Sequence, residues 1–341
     1  MLTKKQIVFT KPNVAEYLDV GKIDLNDIKD NQVVIKSFFT TVSAGTERAN
    51  ITGSKNVAPG VDVPSFPRTS GYNCSGKVVA IGAKVKSVAV GDRVVAYWSH
   101  HTNYNVVDES QVVKIEYDNV SFEDGAVAFI STFPLNAIRK VKLELGESFM
   151  VMGLGILGQF AIKLAKVAGA CPIIACDPIE DRRAEALKNG ADYAFNPLDK
   201  DFAKKVKEVT NGGVQVAIEV TGVGAGLDEA LDCMAKFGRI ALLGCTRYSD
   251  FSIDYYSKVH YPGITLIGAH TNARAMKESR HGDYTHNDEI RTVLKLCSLG
   301  RLTLSDIVKE TYSPTDCAGV YDRLINDKTF PVGVQFDWRN E

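Results

Sequence analysis

The sequence predicts an α/β chain in two parts, a β-rich unit and a doubly wound parallel sheet covered by helices on both faces. Three features predict it. The chain has 341 residues, more than the ~150 of an ordinary single domain. Up to about residue 130 it consists of short Val/Ile/Thr/Tyr runs split by turn residues, the pattern of an all-β unit. From Ser148 onward apolar runs alternate with helical stretches, which implies parallel strands joined by crossover helices.

In the first part, Gln32 to Thr41, Ser75 to Ile81 and Asp92 to Tyr97 read as strands, with turn chemistry at Gly82-Ala83 and Gly91-Asp92. Phe122 to Val141 reads as a helix. The apolar runs of the second part are Phe149 to Met152, Ile173 to Cys176, Val214 to Val220, Ile240 to Leu243 and Thr265 to Ile267. Helices are expected between them at 156–169, 180–189, 199–210 and 224–236. The tail reads as a helix from Asp288 to Leu299 stopped by Gly300, another after Pro314, and a last strand from Val332 to Phe336.

Hydrophobic residues make up 45% and charged residues 24% of the chain, enough for a real core. Forty basic residues against 41 acidic ones leave a net charge of −1. No bulk attraction to nucleic acid or to an anionic membrane is encoded. No apolar run approaches the ~20 residues of a membrane span, and the N-terminal apolar run is too short for a secretory signal. Seven cysteines without a C-x-x-C pair read as small buried hydrophobes of a reducing compartment. A cytoplasmic protein without nucleic-acid or membrane partners is the expectation.

The strongest motif is Gly153-Leu154-Gly155-Ile156-Leu157-Gly158, which follows an apolar strand and opens a helix. In that context the first glycine permits a tight turn, the second lets the backbone approach a pyrophosphate, and the third lets helix and strand pack closely. The phosphates then lie over the helix N-terminus, where unpaired N–H groups favour an anion. Asp177 ends the next strand, 19 residues past Gly158, close to the ~20 expected of a carboxylate that binds ribose hydroxyls. It repels a 2′-phosphate, so NAD(H) is expected over NADP(H). Arg182 and Arg183 soften that preference, and the plainer alternative is an Asp that caps the following helix.

The glycine loop, with GTERANITG (45–53), GYNCSGKVVAIGAKVKSVAVGDRVVAY (71–97), AIEVTG (217–222), GRIALLG (238–244) and LIGAH (266–270), resembles the medium-chain dehydrogenase/reductase superfamily over nearly the whole chain. This superfamily holds the zinc alcohol, polyol and threonine dehydrogenases and their zinc-free relatives. The resemblance implies a GroES-like β-barrel catalytic domain from residues 1–132 and 270–341, and a Rossmann NAD-binding domain at 133–269. It places the active site in the cleft between them. It also implies a homodimer or homotetramer, with the strand at 263–270 as a candidate edge.

The family's catalytic zinc is held by a Cys ahead of Gly-Ser/Thr-Asp, by a Gly-His-Glu pair and sometimes by a further acidic residue or Cys. Here Ala44 precedes Gly45-Thr46-Glu47, and Tyr72 and Asn73 follow Gly71. Ala49 replaces a histidine that often relays the proton, and Phe129 falls near the remaining ligand position. This set lacks the N and S donors zinc prefers. The cysteine-rich lobe of a structural zinc is missing as well. No zinc is expected at either place.

Without a Lewis acid, the substrate oxygen has to be stabilised by hydrogen-bond donors and a proton carrier. The resemblance gives Thr46 the hydroxyl relay position, and Tyr72 puts a phenol at a vacated ligand position. His101, with His100, lies in the segment that runs along the cleft, where a histidine shuttles protons near neutral pH. The plainer readings are a threonine that satisfies its turn, a tyrosine that fills the hole and a loop histidine. Glu47 is expected behind the site rather than as a base. For the cofactor the resemblance adds Arg182 and the backbone of Thr221-Gly222, Leu243-Gly244 and Gly268-Ala269. The polar stretch with His270, Arg274, Arg280, His281 and Tyr284 fits a substrate loop, a solvated loop or an oligomer contact equally. A zinc-independent NAD(H)-dependent oxidoreductase acting on an alcohol/carbonyl pair, a sugar or polyol among the candidates, is the leading expectation. An enone/quinone reductase and a non-catalytic NAD(H)-binding sensor are the alternatives.

Overall fold

A run such as Ile173-Ile174-Ala175-Cys176, buried along its whole length, has to be covered from above and below. That requirement organises half of the chain. The computed structural model describes residues 1–55, 60, 64–249 and 251–341. They form two units, Met1–Ile130 with Ile290–Glu341, and Ser131–Glu289. Residues 270–289, expected with the first unit, pack with the second.

In the first unit the strand Gln32–Thr41 holds a seven-stranded sheet together. Its ten residues divide one edge between two antiparallel partners: 32–36 pair with Tyr104–Asp108, and 39–41 with Gly333–Asp337. Its other edge pairs with Asn73–Ile81, which leads on to Arg93–Tyr97 and Val112–Lys114. Val308–Tyr312 runs parallel to Gly333–Asp337. A smaller sheet joins Val14–Ile23, Leu2–Lys11 and Arg68–Thr69. Ile7, Phe9, Ile51, Tyr321, Phe336 and Trp338 form one buried cluster, so the two ends of the chain share a core. The strands expected from the sequence are present within two residues at each end.

The second unit is a six-stranded parallel sheet in the order Tyr193–Phe195, Ile173–Cys176, Phe149–Met152, Val214–Glu219, Met234–Leu242, Thr265–Gly268. The order reverses between Phe149–Met152 and Val214–Glu219, the signature of a doubly wound fold. Tyr193–Phe195 was not expected, because three half-exposed residues carry no periodic signal. The helix expected at 224–236 ends at Asp232, and the next strand starts at Met234 rather than Ile240. Its register jumps from Val214↔Met234 to Val216↔Arg239, and Phe237 takes φ +63. Residues 235–238 bulge out of the ladder and split the apolar run.

The second unit also buries polar groups. Arg274 pairs with Glu289, both with fully buried side chains, and His286 lies 5% exposed nearby in sequence. Burial, with the Arg274 charge second, lowers the His286 pKa from 6.5 to about 3. A lowered histidine pKa means that the unfolded chain binds the extra proton, so this contribution is complete above pH 6.5 and is lost as pH falls towards 3. At pH 5 the loss is about 2 kcal/mol. The His286→Gln variant should therefore lose less stability than the parent between pH 7 and 5 in urea melts. Equal losses in the two proteins would show that His286 titrates normally.

Candidate active site

At the C-terminal end of Phe149–Met152 the chain turns through Gly153 into the helix Ile156–Ala168. Gly153 has φ +98, a region side chains avoid, and a Cβ there would stand 2.8 Å from Thr221 Cγ2. A Cβ on Gly158 would stand 2.0 Å from the Gly153 carbonyl oxygen, so only hydrogen lets the helix close onto the loop. Gly155 differs. It is the helix N-cap at φ −68, and a Cβ there would meet nothing within 4 Å. Protein packing does not require glycine at 155. No side chain caps the helix, which leaves the N–H groups of its first turn without intrahelical partners.

The Asp177 carboxylate accepts hydrogen bonds from the N–H of Leu154 and of Ile179, both at 2.9 Å. Arg182 Nη1 lies 3.7 Å away. Asp177 thus staples the glycine loop to the second strand and also orders the entry to the helix Glu180–Asn189. A carboxylate has about four acceptor sites, so room for hydroxyl donors remains. Glu219, which the sequence motif contained without marking it, plays the matching part on the fourth strand. Its buried carboxylate accepts from Thr221 N–H (2.6 Å) and Gly222 N–H (3.1 Å), and burial raises its pKa. The Glu219 carbonyl accepts from Leu243 and Gly244, each at 2.9 Å, and Ala269 donates to Leu242 at 3.0 Å. The loop segments expected around a dinucleotide therefore gather beyond the carboxyl ends of the strands, where an open α/β sheet forms its ligand crevice.

In the first unit the helix Ala44–Thr52 begins at Ser43. A serine N-cap ordinarily caps the first turn with its hydroxyl. Here no such bond forms, and Ser43 Oγ instead accepts from the Tyr72 phenol at 2.5 Å. Thr46, on the first turn, is half-buried, and its hydroxyl makes no hydrogen bond among the described residues; it does not satisfy the turn. Tyr72 packs edge-on to Phe129 (5.9 Å) and beside Trp98 (5.7 Å), and Tyr97 stacks on Phe129 at 4.8 Å. Trp98 is 39% exposed and sits at φ +51, an uncommon conformation for a bulky residue. Asn73 is 1% exposed, and neither its Nδ2 nor its Oδ1 has a hydrogen-bond partner among the described residues.

His101 is corrected by the structure. Its side chain is 0% exposed, its Nδ1 lies 2.6 Å from Thr40 Oγ1, and its Nε2 lies 3.1 Å from Glu47 Oε2. Both ring nitrogens are engaged with protein partners inside the core, so His101 braces the fold there rather than standing in an open loop. Glu47, placed behind the site from the sequence, also accepts from Ser43 N–H (2.8 Å) and from the Tyr321 hydroxyl.

A zinc ion needs N, S or carboxylate donors. Ala44 and Phe129 offer none, and the Tyr72 phenol is bonded to Ser43. Among the described residues no group of three or more His, Cys, Asp or Glu is placed to hold a metal ion. The residues at these positions do not fit zinc.

The chain matches the family model for the alcohol dehydrogenase GroES-like domain over residues 29–142 and that for zinc-binding dehydrogenase over residues 157–281. It is 26% identical to L-threonine 3-dehydrogenase of Pyrococcus abyssi, over 92% of this chain and 94% of that protein. With D-guloside 3-dehydrogenase of Escherichia coli K12 it shares 29% identity, over 97% and 100% of the two chains. An alcohol dehydrogenase from Escherichia coli CFT073, solved with its cofactor NADH, shares the fold with a TM-score of 0.82 at 17% identity, over 98% of this chain and 99% of that one. A GroES-like unit and a Rossmann sheet, each matched by its own family model, make this chain a member of the medium-chain dehydrogenase/reductase superfamily, of the zinc-type alcohol dehydrogenase-like kind, and a dehydrogenase acting on a CH–OH/C=O pair.

Proposed function

We propose that the enzyme is a zinc-independent, NAD(H)-dependent dehydrogenase/reductase whose substrate is a sugar, a polyol or a related hydroxylated carbonyl compound. The observation that carries this is the set at the vacated metal positions. There the Tyr72 phenol is held by the diverted hydroxyl of Ser43, and at the retained relay position the Thr46 hydroxyl has no hydrogen-bond partner among the described residues. When bound, the nicotinamide supplies or takes the hydride. Thr46 donates to the substrate oxygen as it gains negative charge, Tyr72 does so by turning its single O–H from Ser43 to that oxygen, and the aromatic wall of Phe129 and Trp98 lowers the local dielectric so that these bonds count for more. His101 has no part in proton transfer.

For the cofactor, the N–H groups of Gly155, Ile156 and Leu157 hold the pyrophosphate over the helix, with Gly153 and Gly158 fixing the loop. Asp177 takes the ribose hydroxyls, and its charge disfavours the 2′-phosphate of NADP(H) while Arg182 limits the penalty. Thr221, Gly222, Leu243, Gly244, Gly268 and Ala269 line the nicotinamide side through their backbone. The free state of all seven cysteines, two of them exposed, supports a cytoplasmic location. No helix among the described residues is long and apolar enough to cross a membrane. Thr265–Gly268 is an outer strand with Leu266 38% exposed, and an open edge of that kind invites pairing with a second copy.

Turnover of a polyol and ketone panel, followed by nicotinamide absorbance, should survive treatment with a chelator. Tyr72→Phe and Thr46→Val should each lower kcat by about 100-fold while NADH binding stays unchanged. Activity lost to the chelator and restored by zinc would sink the proposal. For the cofactor, Gly155→Ala should keep the parent's melting temperature and lose NADH affinity by at least about tenfold, because only a ligand fills the space above it. Gly158→Ala should lower the melting temperature as well. Unchanged NADH affinity in Gly155→Ala would place the pyrophosphate elsewhere. In sedimentation the protein should run as a dimer or tetramer and Leu266→Lys should shift it towards monomer; a parent monomer at micromolar concentration refutes the edge-strand contact.

A further inference from the structure

Among the buried polar side chains of the first unit, Asn73 stands out because both ends of its carboxamide lack a hydrogen-bond partner among the described residues. Such groups are rare in folded proteins and call for an explanation. Its surroundings supply one. Asn73 is the register partner of Tyr97, so the two side chains leave the same face of the sheet. Tyr97 stacks on Phe129, which in turn packs against Tyr72 and Trp98. The carboxamide therefore sits at the aromatic wall that also carries the Tyr72 phenol, one residue along the chain from it.

We propose that Asn73 is a substrate-binding residue that selects for two adjacent oxygens. An amide offers donors on Nδ2 and an acceptor on Oδ1. To satisfy both, a ligand must present an oxygen that accepts and a neighbouring hydroxyl that donates. An α-hydroxy ketone and the vicinal diol formed by its reduction have that arrangement; a simple ketone or monoalcohol offers only half of it. Nδ2 donates to the reacting oxygen beside Tyr72 and Thr46, and Oδ1 accepts from the adjacent hydroxyl. No covalent step is added to hydride transfer. The inference deepens the proposed function and rests on it for the reaction, but the binding it asserts is testable without turnover.

The test compares the parent with Asn73→Leu, which keeps the volume and removes both polar ends, and with Asn73→Asp, which keeps an acceptor and loses the donor. Two probes are used with NADH, dihydroxyacetone and acetone, which share a three-carbon skeleton. The parent should show a larger thermal shift and a higher kcat/KM with dihydroxyacetone. In Asn73→Leu that preference should fall by roughly 10- to 100-fold, with NADH affinity unchanged and the melting temperature of the unliganded protein equal to the parent's or higher. A residue needed only for folding would instead lower the melting temperature and depress both substrates together, and that result overturns the proposal. So does a parent that does not distinguish the two probes in either readout. If dihydroxyacetone binds in an Asn73-dependent way without turnover, the inference stands and the proposed dehydrogenase reaction falls. If turnover is found with no dependence on Asn73, the reverse holds.

Discussion

The carboxylate of Glu47 is the point on which the first unit depends. It lies 1% exposed and gathers the Ser43 N–H, the His101 ring and the Tyr321 hydroxyl. These partners come from the start of a helix, from the loop after Arg93–Tyr97 and from the C-terminal helix Cys317–Asn326. His101 passes the linkage on to Thr40, whose hydroxyl also accepts from the Trp338 indole at 2.8 Å. One buried network thus ties the first half of the unit to its last residues. Leaving a buried donor or acceptor of such a network without its partner typically costs about 1–3 kcal/mol. The network is therefore a strong constraint on where Ser43 and the helix it opens can lie.

The proposed chemistry follows from that fixed position. With its backbone N–H committed to Glu47, Ser43 presents its hydroxyl away from its own helix and towards Tyr72. The phenol is held by a protein hydroxyl, and Thr46, one turn on, is carried by the same anchored helix. In the proposed reaction the hydroxyls aimed by this buried carboxylate would supply the preorganisation that makes donors effective towards a developing alkoxide. Glu219 repeats the device in the second unit, where a carboxylate at the end of a parallel strand shapes the turn at Thr221 and Gly222.

How much of this was legible in the sequence depends on whether a role is set by the backbone or by side chains meeting across long distances. The glycine loop was legible because a tight turn, an open approach and a close helix contact each demand glycine at a fixed spacing, and the structure gives 153, 155 and 158 these distinct environments. The parallel strands were legible because burial on both faces leaves continuous apolar runs. Tyr193–Phe195 was not, being short and half-exposed, and the bulge at 235–238 hid the start of a strand behind an exposed phenylalanine. His101 was misjudged for a different reason. A histidine in a polar segment looks the same whether it faces solvent or closes a buried network, and its partners Glu47 and Thr40 lie 54 and 61 residues away. Ser43 was overlooked because its hydroxyl acts against the usual habit of an N-cap.

Asn73 shows where a departure from local rules becomes informative. A buried amide with no partner costs about 1–3 kcal/mol for each unmade bond, and an apolar residue of equal volume would fit an aromatic wall at lower cost. Glu47 and Glu219 are also buried and polar, but both are satisfied by protein donors and explain themselves as scaffold. Asn73 is not, and it stands beside the phenol proposed to hold the substrate oxygen. The contrast separates two kinds of buried polarity: groups that fold the protein have their partners already, whereas a group that recognises a ligand waits for them. On that criterion Asn73 belongs with the substrate, and His101, which the sequence placed there, belongs with the fold.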